Sequence, residues 1–199
     1  MSYTREQIEA AVKSKGYAWF DDSANKGFDV NIVGVRNSLT NSDVTNLFDD
    51  TITVSFKNEK DEWEIRQWPC TTDPGKRSML EFKNKNGVAR LKEGQYRGSH
   101  EIEKHQGKYD ALCQKGMLEV YRDSNKDMVY NESTTEKGKN FGINIHHAGE
   151  DSKFVDTWSM GCTVFKKIAD FEAFMKICYK AKSLHGNSFT YTLIESSDI

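Results

Sequence analysis

Two short stretches in the last third of the chain carry residue types that can do covalent chemistry. His146 and His147 end an alternating segment that begins near residue 141, and Cys162 follows sixteen positions after His146. A thiol at neutral pH is only a few per cent thiolate, and the thiolate is the nucleophile. A histidine within hydrogen-bond distance can take the proton and stay beside the sulfur as an imidazolium, a contribution of roughly 10²–10⁴-fold to a rate. The pattern predicts a cysteine nucleophile with a histidine base.

The alternation before the two histidines distinguishes between them. Apolar residues at every second position share one face of an extended segment, and we expect that face to be buried: Phe141, Ile143 and Ile145. His146 then points to the opposite face, together with Asn144. If that face lines a cleft, His146 is the base, and His147 is a neighbour that orients the substrate or closes the site.

A glycine precedes the cysteine. Gly161 lets the chain turn tightly before Cys162 and lets a substrate carbonyl approach backbone N–H groups that would serve as an oxyanion hole. These residues predict acyl transfer through a thioester. The competing interpretation is that Cys162 is a small buried hydrophobic residue, as most free cysteines are.

The residues around this pair resemble a known catalytic motif. The chain reads Asn-Ile-His at 144–146 and Trp-Ser-Met-Gly-Cys at 158–162. This pattern is similar to that of the L,D-transpeptidase (YkuD-type) cysteine enzymes of peptidoglycan, and most of all to their phage and prophage members. Residues 71–75 and 94–96 also look like that family's turn and substrate-side strand. The resemblance covers about residues 65–165 and is sharp only over 143–165.

The resemblance assigns roles to individual residues. It implies that Cys162 is the nucleophile and His146 the base, within a β-sandwich that has peripheral helices. The residues expected on the substrate side of the site are His147, Trp158, Ser159, Gly161 and Tyr96. For Trp158 and Tyr96, packing in the core is the alternative.

Three departures from the family pattern bear on substrate binding. Met160 stands where the family has a histidine, which removes a second donor near the thiol. Thr163 and Val164 stand where the family has an apolar residue followed by Arg or Asn, a group expected to hold a substrate carboxylate. The spacer between His146 and Ser159 is also short. The Cys–His pair itself is intact.

The resemblance implies an acyl-enzyme reaction on peptidoglycan peptides. Cys162 would attack a stem-peptide carbonyl after meso-diaminopimelate, expel the next residue, and pass the acyl group to water or to an amine. We expect cleavage, as by a phage endolysin, because a chain without an export signal would reach the wall only on release at lysis or by injection. The expected partner is a wall of the Gram-negative type, and no cofactor or metal is expected.

Three other functions remain open. One is true transpeptidation or exchange through the same acyl-enzyme. Another is a zinc-dependent wall peptidase with ligands from His146 or His147, Asp151 or Asp156, and His185, although adjacent strand residues face opposite ways and no HExxH is present. The third is a non-catalytic wall-binding or virion module that keeps the fold with a degenerate site.

Periodicity predicts the elements that must position these residues. A capping box at Thr4 and Gln7 predicts a helix over 4–15, and apolar residues spaced i, i+3, i+4 and i+7 predict another over 169–183. Alternation predicts strands at 28–36, 51–56, 62–68, 141–146 and 189–193, with shorter ones at 88–91, around Tyr96 and at 117–121. Residues 68–75 and 131–140 are expected to be loops. His100 and His105 lie in a charged stretch and are expected to be solvated.

Composition sets the outer limits. The chain has 199 residues and a net charge of −2, so we expect one β-dominated α+β catalytic domain over 1–199, with an N-terminal helix and strands over 1–65 and a catalytic half over about 66–199. The charge balance argues against a nucleic-acid partner. No apolar stretch is long enough to span a membrane, and no signal peptide precedes the chain, so we expect a soluble monomer, made and stored in the cytoplasm.

Overall fold

The computed structural model describes residues 2–22, 24–40 and 42–199. Its helices are α1 (Arg5–Ser14), α2 (Lys76–Glu81) and α3 (Ile168–His185), followed by a 3-10 turn at Ser196–Asp198. The first strands are β1 (Asn31–Arg36), β2 (Asp50–Lys57), β3 (Trp63–Thr71), β4 (Val88–Leu91), β5 (Gly94–His105) and β6 (Tyr109–Gln114). The later strands are β7 (Leu118–Asp123), β8 (Thr135–Gly138), β9 (Ile145–His147), β10 (Thr163–Phe165) and β11 (Phe189–Glu195). Among the described residues, no helix combines the length and the apolar character needed to cross a membrane.

Eight of the strands form one closed barrel. They are hydrogen-bonded in the order β1-β11-β5-β6-β9-β10-β3-β2, and β4, β7 and β8 form a separate three-stranded sheet. Two neighbouring pairs in the barrel, β1 with β11 and β9 with β10, run parallel. The second of these pairs brings the segment that carries His146 against the segment that follows Cys162.

Each long helix buries one stripe of apolar residues. Helix α1 begins at the predicted capping box, in which Thr4 and Gln7 satisfy each other's backbone N–H groups, and it packs Ile8 and Val12 against a small cluster outside the barrel. Helix α3 buries Phe171, Phe174, Met175, Cys178 and Ala181 in the main core. Its aromatic residues meet Phe165 of β10, so the helix fixes the end of the strand that follows the cysteine.

The coarse fold prediction is confirmed, since the protein is a β-rich α+β structure. The finer prediction of a sandwich is not confirmed by this topology, in which the larger sheet closes on itself. Strands β6 and β10 were not predicted, and β8 lies within the predicted loop 131–140. The predicted strand at 141–146 begins only at Ile145.

The expectation that His100 and His105 are solvated is wrong. Both lie on β5, a twelve-residue strand that runs through the charged stretch, and they are 1% and 7% exposed. Alternating charges obscured the strand because its acidic residues pair with lysines at the barrel surface, for example Glu101 with Lys115. Closure of the barrel packs His100 against Tyr191 of β11 and His105 against His146 of β9.

A buried ion cluster holds the loop that follows β3. The guanidinium of Arg36 is fully buried and lies 3.0 Å from the carboxylate of Asp73 and 2.5 Å from that of Glu93. Arg90 contacts the same Asp73 oxygen at 2.8 Å. Burial opposes ionisation of Asp73, but the two arginines hold its pKa below the usual value. The cluster thus ties β1, β4 and the loop into one unit.

Replacing Arg36 with methionine should strongly destabilise the protein. The variant Arg36→Met leaves Asp73 with one cation instead of two and removes the cation beside the partly buried Glu93, so we expect the free energy of unfolding to fall by about 3–5 kcal/mol. Urea unfolding monitored by tryptophan fluorescence measures this change. The control is Arg77→Met, because the Arg77–Glu81 pair is exposed on α2 and should contribute less than about 1 kcal/mol. Equal losses in the two variants would contradict the assignment.

Candidate active site

The register of two parallel strands places the cysteine and the histidine on one face. Val164 is opposite His146, and the N–H of Thr163 donates to the carbonyl of Asn144 at 3.0 Å, which places Cys162 beside Asn144. Because side chains alternate along a strand, Cys162 shares a face with Asn144 and His146. Thr163 points the other way, into the core, where its hydroxyl bonds the Tyr191 hydroxyl at 2.8 Å. The structure therefore places the two residues predicted to react on the same face of two adjacent strands.

A clamped turn presents Cys162. The Ser159 hydroxyl donates to the carbonyl of Cys162 at 2.8 Å and accepts the N–H of Gly161 at 3.1 Å. The Ser159 carbonyl accepts the N–H of Gly75 at 2.9 Å, which links this turn to the loop held by the ion cluster. Gly161 has φ +128°, and a Cβ added there would lie 1.8 Å from the carbonyl oxygen of Ala89. Ser159 is fully buried, so the role that the structure gives it lies in the turn and not on the substrate side.

The thiol of Cys162 is partly exposed and held by backbone groups. Its Sγ donates to the carbonyl of Gly142 and accepts the N–H of Asn144, both at 3.3 Å. Surrounding protein raises the pKa of the thiol to about 11, although the Asn144 N–H acts in the opposite direction. At neutral pH the sulfur is therefore protonated. The backbone N–H of Cys162 itself donates to no group in the described part of the chain.

The imidazole of His146 is held as a free base. Its Nδ1 lies 3.0 Å from the carbonyl of His147, and since a carbonyl only accepts, Nδ1 carries the proton and Nε2 keeps its lone pair. No described residue hydrogen-bonds Nε2, and the residue as a whole is 4% exposed. Burial lowers the pKa of His146 to about 3, with His105 and His147 adding to the effect.

The resting pair is neutral, which corrects one expectation. An imidazolium beside a thiolate was expected, but Sγ bonds Gly142 and Asn144 and makes no hydrogen bond to an imidazole within residues 42–199. Burial penalises both charged forms, so it raises the pKa of the thiol and lowers that of His146. The chemistry open to such a pair is general-base catalysis, in which the proton moves as the sulfur attacks, and not reaction through a preformed ion pair.

A third residue, His105, belongs to this site although the sequence did not indicate it. Its ring stacks on the His146 ring with centroids 4.2 Å apart and planes 18° apart. Its Nδ1 lies 3.0 Å from the side-chain nitrogen of Asn144. The one sequence signal was the glycine at Gly107, which turns β5 back onto β6 and sets His105 opposite Tyr109.

The other candidate site residues, His147, Trp158 and Tyr96, lie in three different environments. His147 stacks on Tyr109 at 4.2 Å and lines a groove of about 440 Å³ along α3, away from the face of His146. Trp158 is exposed on the loop before Cys162, as is Met160. The Tyr96 hydroxyl instead donates to the carbonyls of Lys92 and Glu119, at 2.6 and 3.2 Å, and the ring packs on the main core.

The ligand set considered for zinc is not assembled. In the part of the chain that the structure describes, no three His, Cys, Asp or Glu side chains converge as a metal-binding group. His185 lies at the end of α3, where its Nε2 bonds the carbonyl of Gly27. Asp156 bonds the side chain of Asn46, so neither residue faces His146.

Comparison with known proteins identifies no relative of this chain. No protein-family profile, curated protein or solved structure gives a significant match to the chain.

Alanine at Gly161 should disrupt the turn. Its Cβ would collide with the backbone of β4, so we expect Gly161→Ala to lower the free energy of unfolding by about 3 kcal/mol or more. Gly107→Ala is the control, because Gly107 also has positive φ (+74°) but open space around it, and should lose only about 1–2 kcal/mol. Urea unfolding of both variants checks this. A Gly161 loss no greater than that of Gly107 would argue against the close contact.

The buried histidines should make the protein less stable in acid. Burial lowers the pKa of His100 to about 4, so between about pH 6.5 and pH 4 the unfolded chain binds a proton that the folded chain does not, and stability falls as the pH falls. His146 acts in the same direction, whereas Asp50, whose pKa is raised to about 7 by burial and Asp73, acts in the opposite one.

The variant His100→Gln isolates this contribution. Glutamine can still donate to the Ile143 carbonyl, which His100 Nε2 contacts at 3.0 Å, but it does not titrate. We expect the stability lost between pH 7 and pH 4.5 to be smaller in the variant by about 2 kcal/mol, measured by urea unfolding at both pH values. Parallel pH curves for wild type and His100→Gln would refute the interpretation.

Proposed function

We propose that this protein is a cysteine peptidase that cleaves peptidoglycan peptides through an acyl-enzyme, with Cys162 as nucleophile and His146 as base. The observation that carries the proposal is that a partly exposed thiol and an imidazole with a free Nε2 share one face of two adjacent strands. The substrate class, and an arrangement related to the L,D-transpeptidases, come from the motif around residues 143–165 and are part of the proposal.

The proposed reaction begins from the neutral pair. On substrate binding the Cys162 side chain turns from the Gly142 carbonyl toward His146, and Sγ attacks a stem-peptide carbonyl while Nε2 takes the thiol proton. The developing oxyanion accepts the backbone N–H of Cys162. The C–N bond then breaks, and His146 returns the proton to the leaving amine.

The second half of the reaction decides the product. Water attacks the thioester, His146 takes one of its protons, and the C–S bond breaks to give a free carboxylic acid and the restored thiol. If an amine of a neighbouring stem peptide attacks instead, the product is a new peptide bond. The exposed apolar side chains Trp158 and Met160 on the loop before Cys162 offer a wall for the bound peptide.

The muropeptides released from purified sacculi test the proposal. Wild-type protein should shorten stem peptides or open cross-links next to diaminopimelate, and mass spectrometry identifies the products. Cys162→Ala should abolish this activity, and His146→Ala should lower it by roughly 10²–10⁴-fold because the general base is lost.

The matched controls use a cysteine and a histidine outside the site. Cys178→Ala, within the α3 core, and His185→Gln, at the end of that helix, should retain activity once folding has been verified. Identical muropeptides from wild type and Cys162→Ala would remove the proposed chemistry. New cross-links instead of shortened peptides would assign transpeptidation, and binding to sacculi without any bond change would assign a non-catalytic module.

A further inference from the structure

His105 contacts both members of the reacting pair, one directly and one through Asn144. Its ring lies nearly parallel to that of His146, 4.2 Å away, and covers one face of the base. Its Nδ1 meets the side-chain amide of Asn144 at 3.0 Å, while the backbone N–H of the same Asn144 donates to Sγ of Cys162 at 3.3 Å. His105 is 7% exposed, so these contacts account for most of its surroundings.

The hydrogen bonds determine which atoms of this network carry protons. The Asn144 Oδ1 accepts the backbone N–H of Gln114 at 2.8 Å, and because that N–H can only donate, the amide orientation is fixed. The Asn144 Nδ2 therefore donates to His105 Nδ1, which must hold a lone pair. Neutral His105 then carries its proton on Nε2, whereas neutral His146 carries its proton on Nδ1.

We propose that His105 is a positioning residue for the Cys162–His146 pair. Its ring limits the rotation of the His146 imidazole, and its Nδ1 fixes the Asn144 backbone that holds the thiol. A phenylalanine could supply only the first function and a glutamine only the second, which explains an imidazole at this position. The inference rests on the proposed function, and it adds a residue that couples the orientation of the base to that of the nucleophile.

Charged and titratable groups surround His105 on several elements. His146 stacks on it from β9, and Tyr109 lies beside it on β6 with ring centroids 5.6 Å apart. His147 on β9 and Lys108 in the turn between β5 and β6 act on it electrostatically. Burial lowers the pKa of His105, with His147 and Lys108 adding to the effect, and His105 in turn lowers that of His146. Removing the His105 imidazole should therefore make His146 easier to protonate.

The test measures alkylation of Cys162 by iodoacetamide between about pH 4 and about pH 9 in the full-length chain, by mass spectrometry of the peptide that contains Cys162. His105→Ala should lower the His146-dependent rate about 10–100-fold, as expected for a misplaced catalytic group. Its acid limb, the pH below which reactivity is lost, should move to higher pH. His105→Phe and His105→Gln should each recover part of the rate, because each keeps one of the two contacts.

Two controls separate positioning from a purely structural role. Lys104→Gln alters the neighbouring residue of β5, whose side chain pairs with Asp110 at the surface, and should change neither the rate nor the acid limb. Thermal unfolding of every variant gives the folded fraction. An acid limb of wild type in the folded fraction of His105→Ala would overturn the proposal, as would a rate that His105→Ala leaves unchanged.

The same experiment distinguishes failure of this inference from failure of the proposed function. Alkylation needs no peptidoglycan, so a His105-dependent thiol in a protein that leaves sacculi intact would support the positioning role and refute the peptidase. The converse result is cleavage of sacculi with a kcat and a KM that His105→Ala leaves unchanged. That result would support the peptidase and refute the positioning role. Alkylation that does not depend on His146, in a protein that leaves sacculi intact, would overturn both.

Discussion

The geometry of the site depends on a buried ion cluster that lies outside it. Arg36 and Arg90 meet on Asp73, and this contact fixes the loop that ends in Gly75. The N–H of Gly75 holds the Ser159 carbonyl, and the Ser159 hydroxyl shapes the turn from which Cys162 emerges. Buried charges are costly unless each is paired, so the cluster tolerates few alternative arrangements of the loop. That restriction extends through two hydrogen bonds to the nucleophile.

Desolvation decides the electrostatics of the candidate site. In water, a thiol and an imidazole with pKa values near 9 and 6.5 are separated by only a few kcal/mol from the ion pair. Here burial raises the pKa of Cys162 and lowers that of His146, and each change favours the neutral state. On the proposed mechanism, the thiol consequently stays protonated until a substrate carbonyl binds beside it. A site of this kind gains selectivity, because it does not present a standing thiolate to every electrophile.

Local signals in the sequence predicted the local features of the fold. The capping box at Thr4 sets the start of α1, and alternation before His146 identifies the side of the strand on which that residue faces. Features that depend on distant segments were not predictable in this way. His105 gains its function from Asn144 and His146, which lie about forty residues further along the chain, and the stretch around it reads as a solvated surface. Likewise, no periodicity predicts that the Ser159 hydroxyl forms its hydrogen bonds within the turn that precedes Cys162.

The closure of the barrel sets the order in which this protein can become functional. Strand β1 lies between β2 and β11, so one of its edges stays open until the last strand of the barrel is available. Helix α3, which backs β10, also follows the cysteine in the chain. During synthesis both reacting residues therefore exist for some time on a polypeptide that cannot yet hold them in register. On the proposed function, activity would appear only after the final strand has docked and closed the barrel.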